Sequence, residues 1–166
     1  MGSGNSVTEI RNIGTCRINL GGRDMGFTQG GVAVKITTDW HDVVVDKYGT
    51  VPLDDIDTGT NIEVTIPLVQ ASLDNYNSAF PTGTSNPADR ITFGRQVGTS
   101  ITKARLVLDP INESDGLVIY KAGCFDVDEL GFNNEGERIL NCHFKGYIDD
   151  DRAIGDKVFR IFGGMS

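Results

Sequence analysis

Short runs of alternating apolar and polar residues recur along this chain and predict a mainly β fold. In residues 16–20 every second side chain is apolar, and the four residues that follow, 21–24, are typical of a turn. The same period of two runs through residues 32–45 and returns at residues 60–68. Because such runs are rich in Val, Ile, Thr and Phe and are separated by turn residues, we expect an antiparallel β-sandwich or barrel.

The two longest predicted strands flank a stretch of about a dozen residues, 46–59, that lacks a clear period. Hairpin connections usually span about two to five residues, so the prediction here is a long β-hairpin loop. Apolar residues lie within it among acidic ones, which is unusual for a purely solvated loop. A contact with another molecule would explain them, and so would a loop that folds back on its own domain.

The period changes after the second long strand. Apolar residues then recur at spacings of four, three and four, which predicts one short flanking α-helix over residues 70–80. We expect Ser72 to cap its N-terminus and Pro81 to end it. Residues 81–98 are rich in Pro, Gly, Thr, Ser and Asn, which indicates a surface excursion. Four further strands are predicted, at residues 102–108, 117–125, 137–147 and 157–162.

Length and composition indicate one β domain over residues 12–166, preceded by a flexible segment, residues 1–11. The chain has 166 residues, of which 39% are hydrophobic and 23% charged, enough apolar material for one core. Residues 1–6 carry neither the basic nor the apolar region of a secretory leader. No stretch approaches the roughly 20 apolar residues that cross a bilayer. We therefore expect a soluble protein made in the cytoplasm, without a membrane partner.

The cysteines and histidines show no spacing of a metal or redox site. Cys16, Cys124 and Cys142 are an odd number of widely separated residues, and we expect reduced thiols packed as small core side chains. His41 and His143 lie about a hundred residues apart in different predicted strands, whereas a zinc site needs more ligands at closer spacing. The sequence therefore predicts no metal site.

Charge and motifs argue against catalysis and against binding to a polyphosphate backbone. Acidic residues cluster at 54–57, 126–129 and 149–151, but none of the three clusters follows the calcium-loop template. No phosphate loop, nucleophile elbow or zinc-protease motif is present, so we expect no cofactor and no enzyme activity. The net charge of -8 disfavours adhesion to DNA, although a conduit works better when its wall repels its cargo.

Several segments, in order and with matching spacing, resemble the tail tube family of bacteriophages. In the first half they are GGVAV at 30–34, WHDVVVDKYG at 40–49, the stretch from TG at 58–59 to IPL at 66–68, and LDNY at 73–76. In the second half they are ARLVLDP at 104–110, YKAG at 120–123 and FKGYID at 144–149. The resemblance spans nearly the whole chain.

The resemblance implies a structural virion protein that self-assembles into stacked hexameric rings, forming the hollow tail tube through which DNA passes. The chain's main partner would then be itself, with sheath, terminator and baseplate proteins as further partners and DNA as a non-specific passenger. It would reside in the virion tail and assemble in the host cytoplasm. Two other readings stay open: a tail terminator or contractile injection system tube subunit, and a β-sandwich module that binds carbohydrate or peptide.

The resemblance also assigns residues to two surfaces. Residues 32–39 and 60–68 would line the lumen, with their apolar side chains in the core and the net charge of -8 giving a negative channel wall. The residues expected to face the lumen are Ala33, Lys35, Thr37, Asn61, Glu63 and Thr65. The residues expected to contact the next ring are Asp46, Tyr48, Val51, Pro52, Leu53, Asp54, Asp55 and Ile56.

Overall fold

The computed structural model describes residues 16–70, 72–86, 90–110, 116–131, 136 and 138–162, and the predicted flexible segment 1–11 lies outside them. Within these residues ten strands and one α-helix follow one another, with a single 3-10 turn at Asp46–Tyr48. The strands of the first half are β1 Cys16–Leu20, β2 Arg23–Asp24, β3 Ala33–Val44 and β4 Pro52–Leu68. Then come α1 Leu73–Ala79, β5 Thr84–Asn86, β6 Arg90–Thr92, β7 Ala104–Pro110, β8 Gly116–Val127, β9 Leu140–Tyr147 and β10 Phe159–Phe162.

Eight of the strands form one antiparallel sheet. Its order is β2-β1-β7-β8-β9-β4-β3, and β10 pairs with β8 beside this path. Strands β2 and β3 are the two ends of that order, so the sheet is open. The predicted class, mainly β and antiparallel with one short helix, is confirmed. A barrel closed within one chain is not formed, because closure needs the first and last strands to pair.

The core lies along the strands that pair with one another in the middle of the sheet. Every second residue of β4 from Ile62 to Leu68 is fully buried, which is the alternation that the sequence predicts. Each fully buried aliphatic side chain contributes roughly 1.5–3 kcal/mol to folding. Cys124 and Cys142 are buried free thiols, and Cys16 is a half-buried one, in agreement with the predicted role of the cysteines.

Helix α1 is shorter than the predicted span of residues 70–80, and the two residues expected to bound it, Ser72 and Pro81, flank it. The Ser72 side chain accepts a hydrogen bond from the Asn75 backbone N–H at 3.2 Å, and the helix stops at Ala79, two residues before Pro81. Asn75 itself is a buried polar residue. Its Nδ2 donates to the carbonyl oxygens of Met25 at 2.8 Å and Gln70 at 2.9 Å, which fixes the helix against the segment after β2.

The prediction of a long loop over residues 46–59 is wrong. Strand β4 begins at Pro52 and has 17 residues, so only residues 45–51 connect it to β3. Residues 52–59 are exposed on both faces of the strand, and without a buried face they show no alternation of apolar and polar side chains. The acidic and glycine residues there were therefore indistinguishable from a loop in the sequence.

Candidate functional site: the β3–β4 arm

The hairpin of β3 and β4 extends well beyond the rest of the sheet. Strand β9 pairs with β4 only from Glu63 to Leu68, so within the described part of the chain residues 52–62 of β4 pair with β3 alone. At a rise of about 3.3 Å per residue this two-stranded ribbon projects by roughly 35 Å. We call residues 36–62 the arm.

Large apolar side chains lie exposed along both strands of the arm and at its tip. Their exposed fractions range from 44% to 64%, whereas such side chains in a sheet are normally covered on one face. Several large apolar side chains exposed on one projecting element favour a contact with another molecule. The exposed apolar side chains of the arm are Ile36, Trp40, Val44, Tyr48, Val51, Leu53 and Ile56.

Two β-bulges interrupt the pairing within the arm. Asp39 pairs with Gly59 and Trp40 with Asp57, which leaves Thr58 as an extra residue, and a second shift leaves Leu53 extra near the tip. Bulges bend the strand and increase its twist, so the arm is not a flat ribbon. Gly59 adopts a φ of 147°, which favours glycine, and its N–H donates to the Asp57 carboxylate at 2.7 Å.

The arm accounts for most of the net negative charge of the chain. Residues 36–62 contain six Asp and one Lys, a net charge of -5 out of -8 for the whole sequence. Asp42 and Asp55 lie directly opposite each other across the two strands. A hydrogen bond with the Asp42 carboxyl raises the pKa of Asp55 above its usual range, with repulsion by Asp42 and Asp54 adding to the shift. A cationic partner surface would relieve this repulsion.

All the residues expected to contact the next ring lie exposed at the end of the arm, in the turn or in the first residues of β4. The structure therefore brings these acidic and apolar side chains together at one projecting tip. Their role as a ring contact stays a prediction. The members are Asp46, Tyr48, Val51, Pro52, Leu53, Asp54, Asp55 and Ile56.

The six residues expected to face a lumen lie together on the solvent side of β3 and β4, opposite the core. They form three direct cross-strand pairs, in which the one Lys faces the one Glu, so this patch has no net charge. Whether it faces a lumen, and whether a channel wall is negative, stay predictions. The pairs are Ala33 with Thr65, Lys35 with Glu63, and Thr37 with Asn61.

The apolar side chains of β3 were expected in the core, and that expectation is wrong. Val34 and Ile36 are 42% and 44% exposed, although their partners Val64 and Ile62 on β4 are fully buried. The reason is that β3 is the last strand of the sheet in the described part of the chain, so its core-facing side chains have a neighbouring strand on one side only. The edge of β3 is thus open to a neighbour.

One side-chain cluster outside the arm was not predicted from the sequence. Asp156 accepts hydrogen bonds from the Tyr120 hydroxyl at 2.5 Å and from the guanidinium groups of Arg152 and Arg160 at 2.8 Å and 2.6 Å. The Tyr120 hydroxyl and the two arginines lower the pKa of Asp156 to about 2. The cluster fastens the chain after β9 to β8, and no local pattern links Tyr120 to a carboxylate 36 residues later.

The histidines, cysteines and acidic side chains of the described residues are not arranged as a metal site. No group of three or more His, Cys, Asp or Glu side chains there is placed to hold a metal ion. His143 instead lies beside Thr65 and Asp128, with hydrogen-bond distances of 3.0 Å to each. No helix in the described part of the chain is long and apolar enough to span a bilayer.

Comparison with known proteins gives a fold likeness without sequence similarity. No family model matches the chain. No curated protein matches it either. Among solved structures, the chain is similar to the sheath/tube terminator of an extracellular contractile injection system, PVC, seen by cryo-EM in its extended state. The TM-score is 0.54 at 10% identity, and the match covers 95% of this chain and 98% of that one, so the two share a fold over nearly their full lengths.

Proposed function

We propose that this chain is a structural subunit of a tail or tail-like injection particle, which assembles with copies of itself into rings that stack through the arm. It acts by assembly rather than by catalysis, and it needs no cofactor. The observation that carries the proposal is the arm, which combines exposed apolar side chains with a concentrated negative charge. The fold shared with a sheath/tube terminator supports the same class of role.

The arm would be only weakly stable in an isolated molecule. A two-stranded hairpin without a third strand or a packed face is at best marginally stable in water. Apolar side chains such as Trp40 and Leu53, both more than 60% exposed, lower the free energy of the system only when something covers them. Docking of the arm on a neighbouring subunit supplies both the cover and the missing contacts.

Within a ring, the open edge of β3 gives a second contact. An edge strand of twelve residues presents unpaired backbone groups that pair readily with another strand. Pairing of β3 with the sheet of the next subunit closes a larger barrel around a central channel, lined by the neutral Lys35 and Glu63 face. From the resemblance to tail tube proteins we propose six subunits per ring, with DNA passing through the lumen.

Electron microscopy of the purified full chain tests the proposal. We expect rings or tubes of the wild-type chain in negative stain, and their loss in Leu53→Asp, because this substitution places a charge at the apolar tip of the arm. The matched control is Ile154→Asp, since Ile154 is 96% exposed and lies on a loop outside the arm. Assembly of Leu53→Asp equal to that of the control would refute the proposed role of the arm.

A tail terminator is the second candidate, and the full-length fold match to a sheath/tube terminator favours it. A terminator closes the end of a tube and so stacks on one side only. A tube subunit must stack on both sides, and its growth does not close. Long tubes of the purified chain would select the tube subunit, and single closed rings would select the terminator.

A further inference from the structure

A pair of buried thiols lies on neighbouring strands in the middle of the sheet, outside the arm. Cys124 of β8 pairs with Phe144 of β9, and Cys142 comes two residues before Phe144 on the same strand, so both cysteine side chains face the core. Cys124 is 3% exposed, Cys142 is fully buried, and both are free thiols. The two cysteines are therefore diagonal neighbours across one pair of strands.

The two thiols are in hydrogen-bond contact beside a β-bulge. The register shifts between Cys124 and Asp126, which leaves Phe125 as an extra residue of β8. A hydrogen bond from the Cys142 thiol lowers the pKa of Cys124, although burial opposes this shift, and backbone N–H groups of Asp126 and His143 lower the pKa further. The same contact, together with burial, raises the pKa of Cys142. Cys124 is therefore the more readily ionised thiol, and the thiolate is the form that reacts with oxidants.

A cavity of about 200 Å³ gives access to one of the two thiols. It lies between the end of α1 and strands β7 and β8, and Cys124 is among the described residues that line it, whereas Cys142 is not. Two other lining residues, Asn77 and Thr102, are exposed, so this side of the cavity opens to solvent. Since a water molecule takes up about 30 Å³, the cavity admits molecules a little larger than water and excludes bulky reagents.

We propose that Cys124 and Cys142 are a peroxide-sensitive thiol pair, in which hydrogen peroxide enters the cavity, oxidises Cys124 and leads to a disulfide between β8 and β9. The Cys124 thiolate attacks one peroxide oxygen, the O–O bond breaks, and a sulfenic acid forms as hydroxide leaves. The Cys142 sulfur then attacks the sulfenic sulfur, the S–O bond breaks, and water leaves with the proton of Cys142. In total the two thiols lose two electrons and two protons, and one hydrogen peroxide is reduced to two waters.

The bulge at Phe125 makes room for the bond. Cysteines in a disulfide have Cα atoms about 4.4–6.8 Å apart, whereas diagonal neighbours in a sheet are about 7–8 Å apart. Closure therefore needs a small backbone shift, which the unpaired bulge residue of β8 can absorb. Because the bond closes a loop over residues 125–141, it constrains the unfolded chain and stabilises the sheet.

Mild hydrogen peroxide treatment of the purified, folded full chain tests the pair. Cys16→Ser is the starting protein, because Cys124 and Cys142 are then its only thiols. We expect the intact mass to fall by two hydrogen atoms, non-reducing peptide mapping to show the bond, and dithiothreitol to reverse it. A folded chain that keeps both thiols free, or that accumulates a sulfenic acid without a disulfide, would overturn the proposal.

Single substitutions in this background separate the roles of the two thiols. In Cys142→Ala the sulfenic acid of Cys124 should persist and be trapped by dimedone, a reagent for sulfenic acids. In Cys124→Ala the oxidation of Cys142 should be about tenfold slower or more, because Cys142 is fully buried and has the raised pKa. Circular dichroism first establishes that each variant is folded. Equal oxidation rates of the two variants would overturn the assignment of Cys124 as the attacked thiol.

Narrowing the mouth of the cavity tests the route of the peroxide. Thr102→Trp should slow disulfide formation, and Thr99→Trp is the matched control, since Thr99 is exposed nearby and is not among the residues that line the cavity. Equal rates in the two variants, or a disulfide that forms only as fast as the chain unfolds globally in a proteolysis assay, would overturn the cavity as the route. None of these readouts depends on ring or tube formation, so this proposal and the proposed function are tested separately.

Discussion

Replacing Asn75 by alanine removes the amide that joins α1 to the chain after β2. Asn75 is 1% exposed, and its Nδ2 donates to the carbonyl oxygens of Met25 and Gln70. Its Oδ1 accepts a hydrogen bond from Arg23 at 2.8 Å. The guanidinium of Arg23 keeps the Ser78 hydroxyl and the Asp74 carbonyl as partners, so the loss there is partial.

The expected loss of stability follows from the two hydrogen bonds that the Asn75 amide donates and from a buried carbonyl oxygen that is left without a partner. Each hydrogen bond contributes a net of about 1 kcal/mol, and an orphaned buried carbonyl costs about 1–3 kcal/mol more, so we expect a loss of at least about 3 kcal/mol. Native domains have about 5–15 kcal/mol of stability in total. For a chain of this length, that loss lowers the Tm by roughly 6–12 °C.

Chemical denaturation or calorimetry of unassembled protein measures the effect, and a Leu53→Asp background keeps the chain from assembling. Asn77→Ala is the matched control, since Asn77 is exposed on the same helix. We expect the control to change stability by less than about 0.5 kcal/mol. A loss for Asn75→Ala no greater than that of the control would refute the assignment of the amide as the anchor of the helix.

Three further predictions concern charge and capping. The folded-state pKa of Asp55 is raised, so stability from its protonated form is present at acid pH and is lost as pH rises through that pKa. Protection factors of the arm amides, which remove the intrinsic slowing of exchange in acid, should therefore increase from pH 7 to about 4, and Asp42→Asn should reduce this increase. The folded-state pKa of Asp156 is lowered to about 2, so the stability that its carboxylate contributes is lost as pH falls from the usual range toward that value. If the Tm of Asp156→Asn declined as much as that of the wild-type chain between those pH values, this prediction would be contradicted. Ser72→Ala should cost about 1 kcal/mol in denaturant unfolding, since it removes the N-cap, and no loss would show that the cap is dispensable.

Local features of the fold were predictable because they depend on neighbouring residues. Strand β1 has the predicted bounds, and Ser72 caps the predicted helix, since each depends on a period or a cap within a few residues. The order of the sheet was not predictable, because β1 pairs with β7 from the far half of the chain. No local pattern encodes such a pairing.

The residue content of the arm's tip was visible in the sequence, whereas the shape of the arm was not. The acidic and apolar content of residues 46–59 was visible, whereas the extension of β4 back to Pro52 depends on pairing with β3. An apolar groove between α1 and Phe93 was not predicted, because no local pattern places the excursion over residues 81–98 beside the helix.

The bulges at Thr58 and Leu53 also affect whether free subunits aggregate with one another. A long, flat strand edge with exposed apolar side chains is a template for irregular stacking and fibres. The added twist spoils the match between two free arms, and their common negative charge makes them repel. In the proposed assembly, growth would then be confined to ends that already display a complementary surface. Nucleation would set the timing of polymerisation, and free subunits would accumulate beforehand without aggregating.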